Sequence, residues 1–220
     1  MAERPVFAPG ETTRGDGLVK VIATDFVWHP GMATSQKQKS IASLHEAAAR
    51  RGVSPVLEVS TKSDSWLGQE LSAFTITLTS PVHGPLTVEA AFQGSKVFAE
   101  GGPYRDLFEL PGREIKRDGR LNGRLVAFNF DGHEWGLEPK TAFYDWLYMQ
   151  ALHSHRDLRG RVLEYAGFTD IEFNPKKSLN CQARSCALYV ALSRAGIVDA
   201  VLADRGLYLE TVGSDSEQLF

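Results

Sequence analysis

The chain is poor in cysteine: its two thiols, Cys181 and Cys186, stand five positions apart. That excludes a disulfide-stapled scaffold, and the spacing is not that of a CxxC metal pair. Both are expected as reduced thiols in a core. No apolar run approaches the ~18 residues that a membrane helix needs. The longest, around Ala187 to Leu202, is broken by Arg194, Gly196 and Asp199. The opening Met1-Ala-Glu-Arg-Pro5 lacks the apolar stretch of a secretory signal, so a cytoplasmic protein away from membranes is expected. An excess of one charge is lacking too. Lys and Arg number 24 against 27 Asp and Glu, a net of −3, which excludes a bulk polycation coating nucleic acid. Walker, GxGxxG and GxSxG motifs are absent. The six histidines are scattered, and neither a metal nor a cofactor is expected.

What is present is an ordinary globular composition. The 220 residues are 43% hydrophobic and 23% charged, enough for one domain with a sizeable core. Residues 1–17, rich in Pro and Gly, read as a flexible arm; 18–205 read as the domain and 206–220 as a tail. Strands are expected over Leu18 to Trp28, Pro55 to Thr61, from Phe74 with period-two alternation, and over Leu125 to Phe130. Helices are expected from Ser35 or Ser40 to near Gly52, from Thr87 as N-cap to about Glu100, over Pro139 to His153, near Leu158 to Tyr165, and over Ala183 to Arg194. The fold class is α+β, mainly helical, with a few short strands around a ligand cleft.

One segment suggests chemistry: Thr87-Val-Glu-Ala-Ala-Phe-Gln-Gly-Ser-Lys-Val-Phe98. Glu89 and Lys96 are seven apart, so on an α-helix both lie on one face with Phe92 and Gln93 between them. Such a face carries an acid, an amide and an amine among aromatics; snorkelling from a half-buried helix is the plainer reading. Gly94 suits either a close ligand or close packing. Ser60-Thr-Lys-Ser63 sets hydroxyls and an ammonium after a strand, a composition that suits phosphate oxygens or an ordinary polar turn. Asp170-Ile-Glu172, Asn174, Ser178 and Asn180 gather carboxylates and amides before a helix start, where one can serve as a cap.

These residues in this order resemble a known family. Leu71-Ser-Ala-Phe74 followed by Thr87-Val-Glu-Ala-Ala-Phe-Gln-Gly-Ser-Lys96 is similar to the signature of the NADAR (YbiA-like) superfamily: LSNF, a short strand and turn, then S-x-E-H-x-F-Q-A-x-K. Ala73 stands where Asn is usual and Ala90 where His is usual. Ser35-Gln-Lys-Gln-Lys-Ser40, the run Thr141-Ala-Phe-Tyr-Asp-Trp-Leu-Tyr148, Asp170-Ile-Glu-Phe-Asn-Pro175 and Asn180-Cys-Gln-Ala183 resemble the NADAR branch encoded beside DarT-type toxins. The likeness runs roughly from Trp28 to Arg194.

The resemblance implies an antitoxin. The toxin attaches ADP-ribose to guanine in DNA, and the NADAR partner cleaves the bond between ribose C1″ and the guanine amino group. The implied partners are ADP-ribosylated DNA and a DarT-type toxin. Glu89 and Lys96 fit two routes. In one, Glu89 is general acid–base and water attacks C1″. In the other, the sugar opens to an imine and neutral Lys96 displaces the guanine amine as a Schiff base; N-linked ADP-ribose favours this amine–aldehyde chemistry. Asp170 matches an acidic position of the superfamily and is the third catalytic candidate. Ser60, Lys62, Ser72, Phe74 and Gln93 are implied ADP-ribose contacts, with Asn174 and Asn180. Trp135 resembles a superfamily tryptophan and is a candidate base-stacking residue or a core indole. The basic run Arg113 to Arg124 is a candidate DNA-facing rim or a solvated loop. Two rivals stand beside this: a small-molecule N-glycosidase on a riboflavin-pathway-like phosphoribosyl amine, and a non-catalytic module that binds ADP-ribose or the toxin.

Overall fold

A computed structural model describes residues 1–115, 117–176 and 178–213, with the side chains of Asp16 and Arg113 outside that description. In chain order its elements are β1 Ala2–Pro9, β2 Val19–Phe26, α1 Thr34–Arg50, β3 Val56–Glu58, α2 Trp66–Glu70, β4 Thr77–Ser80, β5 Gly84–Thr87, α3 Val88–Gly94, β6 Lys96–Phe98, α4 Gly112–Ile115, β7 Leu125–Phe130, β8 His133–Trp135, α5 Ala142–Ser154, α6 Arg156–Val162, β9 Gly167–Thr169, α7 Gln182–Arg194, α8 Val198–Ala203 and α9 Arg205–Val212. The class is α+β, as the sequence implies. Among the described residues the strands form three small sheets, ordered β2-β1-β9-β3, β4-β5 and β6-β7-β8. None of the described helices is long and apolar enough to cross a membrane.

Helices α5 and α7 form the centre of the core. Every residue of α7 from Gln182 to Leu192 is buried, and Phe143, Leu147, Tyr148, Met149 and Leu152 of α5 are nearly inaccessible. A helix apolar on all sides is a core helix. Cys181 and Cys186 are free and buried there, as expected. The two helices are also joined by a buried ion pair. Arg184 Nη1 donates to Asp145 Oδ2 and to Thr141 Oγ1 at 3.1 Å, and Ser185 Oγ donates to Asp145 Oδ1 at 2.5 Å.

The termini are more ordered than the sequence suggested. Residues 2–9, expected as an arm, form β1 and pair with β2 along their whole length, from Ala2↔Phe26 to Pro9↔Val19. Val6 and Phe7 are buried. Pro5 and Pro9 are tolerated because β9 meets β1 only at Phe7↔Phe168. Gly10 N donates to Leu18 O at 2.8 Å and closes the hairpin. A Cβ on Gly10 would lie 1.5 Å from Gly17 O, so only glycine fits there. Helix α9, Arg205–Val212, covers residues 206–212 that were expected as part of a tail. Tyr208 is fully buried and its hydroxyl donates to Ala142 O at 2.7 Å. Residues 214–220 lie outside the described residues.

Two helix boundaries also move. Helix α1 starts at Thr34 with Ala33 as N-cap and no capping side chain; Ser40 Oγ instead accepts His29 N at 2.9 Å. The α3 cap is Thr87, whose Oγ1 accepts Ala90 N at 3.3 Å, but the helix ends at Gly94 and Lys96–Phe98 is a strand. A Cβ on Gly94 would meet the Phe108 ring at 2.5 Å and Tyr104 O at 3.1 Å, so this glycine serves packing. The expected strand from Phe74 begins at Thr77. Residues 72–76 are a turn in which Ser72 O accepts Thr75 N and Ile76 N at 2.7 and 2.8 Å.

Removing one partner of the α5–α7 ion pair leaves a buried charge uncompensated. Arg184→Met is expected to lower unfolding free energy by about 3–5 kcal/mol in urea denaturation. The double variant Asp145→Leu/Arg184→Met recovers most of the loss.

Candidate functional site

One cleft of about 790 Å³ gathers most of the expected site residues. Glu89, Lys96, Asp170, Ser60, Ser72, Phe74, Gln93, Asn174 and Asn180 all line it. That volume suits a ligand of nucleotide size. Lys62 and Trp135 do not line it.

Glu89 and Lys96 do meet in the cleft, though not as two residues of one helix face. Glu89 is 8% exposed in the first turn of α3. Its backbone N–H donates to Ala73 O at 2.9 Å, and its Oε1 accepts Gln93 Nε2 at 3.2 Å. After α3 the chain turns at Ser95, whose hydroxyl donates to Ala91 O at 2.6 Å. Lys96 then opens β6 opposite Phe128. Its Nζ sits 4.9 Å from the centre of the Phe92 ring. Burial drives the Lys96 pKa below the ordinary lysine value, and the Glu89 carboxylate opposes that shift. Tyr144, packed edge-on against Phe92 with ring centroids 5.2 Å apart, completes this wall. Burial holds its phenol well above the usual value, so it stays protonated.

Asp170 follows β9 and lines the same cleft. Its Oδ1 accepts Glu172 N at 3.0 Å and Phe173 N at 3.2 Å; its Oδ2 accepts Gln182 Nε2 at 3.0 Å. Burial, and then the charge of Glu58, push its pKa up to about 7. Glu58 itself is 1% exposed, and burial raises its pKa too.

Other expected contacts divide. Phe74, 38% exposed at the cleft mouth, is seated against Gly112: a Cβ there would stand 2.6 Å from the ring. Ser60 is buried, and its hydroxyl donates inward to Glu58 Oε1 at 2.7 Å. The proton a phosphate oxygen would need is therefore committed elsewhere. Asn174 Oδ1 accepts Lys176 N at 3.0 Å in a turn. Asn180 Oδ1 is buried with no donor among the described residues. Lys62 contributes its backbone N–H to Ser60 Oγ at 3.1 Å. Trp135, expected to stack on a base, is instead the core indole: it is 6% exposed, among Phe143, Trp146 and Tyr208 at centroid distances of 5.4, 5.5 and 6.3 Å. The basic run is no free rim at Arg120. That guanidinium is paired to Asp106 at 2.6 Å and Asp118 at 2.7 Å. Lys116 and the Arg113 side chain of that run lie outside the described residues.

Two residues central to the site were not singled out from sequence. Gln182 lies in the run Asn180 to Ala183, and Glu58 is a lone carboxylate in the apolar strand PVLEVST. An isolated acid in a buried strand is the signal that marks it.

The Lys96 ammonium is destabilised by burial and supported by Glu89. Reductive methylation followed by mass spectrometry across pH is expected to give Lys96 a midpoint below that of the exposed lysines. Glu89→Gln removes the supporting charge and lowers that midpoint further.

Among known proteins, the family model described as the DarT1-associated NADAR antitoxin matches residues 2–218. No curated protein matches the chain.

Proposed function

The chain belongs to the DarT1-associated NADAR antitoxin family, and from that premise we propose that its cleft removes ADP-ribose from guanine bases in DNA. The observation that carries this reading is the juxtaposition of Lys96, desolvated over Phe92, with the buried Glu89 carboxylate on one wall of the cleft. A lysine in that setting holds more of its neutral, nucleophilic form near neutral pH than an exposed one.

The chemistry runs as amine exchange. The sugar ring opens, leaving an imine between C1″ and the guanine nitrogen. The Lys96 Nζ lone pair adds to C1″. A proton moves to the guanine nitrogen, the bond from C1″ to that nitrogen breaks with its electron pair going to nitrogen, and guanine regains its amino group. The Lys96 Schiff base that remains takes up water and releases free ADP-ribose, returning the amine. Glu89, next to Lys96, takes the proton from the adding amine and gives it back, so the two act as a coupled pair. Asp170, which lines the same cleft, is the acid for the leaving nitrogen. A base inside a duplex cannot reach this cleft, so the substrate is single-stranded or has its guanine flipped out.

Purified protein is incubated with an oligonucleotide carrying ADP-ribose on guanine, beside one carrying it on thymine. Release from guanine alone is expected. Lys96→Ala and Glu89→Gln each reduce that release by orders of magnitude while far-UV circular dichroism stays unchanged. Borohydride added during turnover traps an adduct on Lys96. Normal turnover without an adduct would replace the Schiff base by direct attack of water. No release from either oligonucleotide, with tight binding of free ADP-ribose, would make the chain a binding module.

A further inference from the structure

Glu58 lies behind the cleft, and its surroundings are those of a working group. Its carboxylate accepts three donors: Ser60 Oγ at 2.7 Å and Ile171 N at 2.8 Å on Oε1, and Thr169 Oγ1 at 2.7 Å on Oε2. Two of those donors, Thr169 and Ile171, flank Asp170 in the chain. A third, Ser60, lines the cleft with Asp170. Glu58 thus clamps the backbone on both sides of Asp170 without itself reaching the ligand space. Burying a carboxylate is costly, and three apolar neighbours would stabilise β3 and β9 at no such cost.

We propose that Glu58 is a positioning residue of this cleft: it holds Asp170 as the proton-carrying acid. Glu58 is buried, Asp170 is half-buried against the cleft, and the charge of one disfavours ionisation of the other, so near neutral pH the pair keeps one proton. The donors divide its location. All three donors to Asp170 are N–H groups, two on Oδ1 and one on Oδ2. Oδ2 therefore keeps a lone pair for a proton, on a residue that lines the cleft. The remaining lone pair of Glu58 is sealed from solvent.

The other titratable groups around Asp170 do not replace this role. Glu172 and Tyr144 line the same cleft, Glu172 being paired with Lys37 at 3.0 Å. Cys181 at the start of α7 is held protonated by burial. On α1, His45 Nε2 lies 2.9 Å from Thr169 Oγ1. The Thr169 proton goes to Glu58, so His45 donates through Nε2; burial lowers its pKa to about 4, which keeps it neutral. Glu89, beside Lys96, and Glu138 are the remaining carboxylates of the cleft lining.

The inference rests on the proposed release of guanine. There the proton on Asp170 Oδ2 passes to the leaving nitrogen as the C–N electron pair moves onto it, and Asp170 is left ionised. Infrared titration of the whole protein, labelled with ¹³C-aspartate, reads the pair without substrate. The wild type is expected to show a protonated aspartic-acid band, half lost near pH 7 and absent in Asp170→Asn. In Glu58→Gln the midpoint falls by about one unit or more, because the neighbouring negative charge is gone. Thr169→Val supplies an independent arm: Glu58 loses a donor and draws the shared proton, and the Asp170 midpoint falls again. A wild-type band lost in the ordinary aspartate range, a band surviving Asp170→Asn, or a midpoint unmoved in both Glu58→Gln and Thr169→Val overturns the proposal. Where ADP-ribose release is observed, its alkaline limb moves to lower pH in Glu58→Gln. A correct titration with no release of ADP-ribose leaves the pair standing and removes the reaction.

Discussion

One side-chain amide ties the cleft together. Gln182, the first residue of α7, is 6% exposed. Its Oε1 accepts Ala73 N at 2.7 Å, and its Nε2 donates to Val59 O at 2.6 Å and to Asp170 Oδ2 at 3.0 Å. Those three partners belong to the turn before β4, the end of β3 and the end of β9. The same three segments carry Ser72 and Phe74, Ser60, and Asp170. Only an amide both accepts from a backbone N–H and donates to a carbonyl and a carboxylate. A glutamate there would face the Val59 carbonyl and Asp170 with lone pairs, and a leucine would leave three buried groups unpaired. Where the chain usually carries an Asn in this superfamily it carries Ala73, and it is the Ala73 backbone, through Gln182, that is fixed.

Burial then does the chemistry's preparation. Lys96 and Asp170 are pushed in opposite directions, the amine down and the carboxyl up, each towards its neutral form. Water would favour both charged forms. Two groups in one cleft whose environments move them in opposite directions make an acid–base assignment possible. Phe92 supplies part of that desolvation on one wall, and the enclosed strand ends of β3 and β9 supply it on the other. The Arg184–Asp145 pair joins α5, which carries Tyr144, to α7, which carries Gln182. The two walls are thereby referred to one rigid core.

Much of this was legible in the sequence, and the misses have physical causes. Strand β7 falls on Leu125–Phe130 as expected, and helix α7 begins one residue before the expected Ala183. Glu89 and Lys96 share a cleft, but for a reason periodicity does not contain: the helix ends at Gly94, where the missing Cβ admits Phe108, and the chain turns into β6. A helix-face argument thus brought the two residues together through the wrong local geometry. The terminal segments were misjudged because Pro and Gly mark both loose chain and tight hairpins, and only the pairing partner separates the two. Trp135 illustrates a different limit. An indole before a helix fits a ring-stacking site and a core equally well, and what decides it is packing against Trp146 and against Tyr208, which comes from the far end of the chain. The role of Gln182 was hidden for a like reason, since two of its three partners, Val59 and Ala73, lie more than a hundred residues away.

The polar lining also says what kind of ligand atom it meets. Glu89, Glu138, Asp170 and Glu172 border the cleft against Lys96 and Lys140. That balance is not a phosphate trap. Ser60 spends its proton on Glu58 and so offers a lone pair, and Asn180 Oδ1 stands buried without a donor among the described residues. An acceptor-rich wall selects donors: sugar hydroxyls and an aromatic amino group satisfy it, whereas phosphate oxygens do not. The ribose and the base amine of an N-linked nucleotide are such donors.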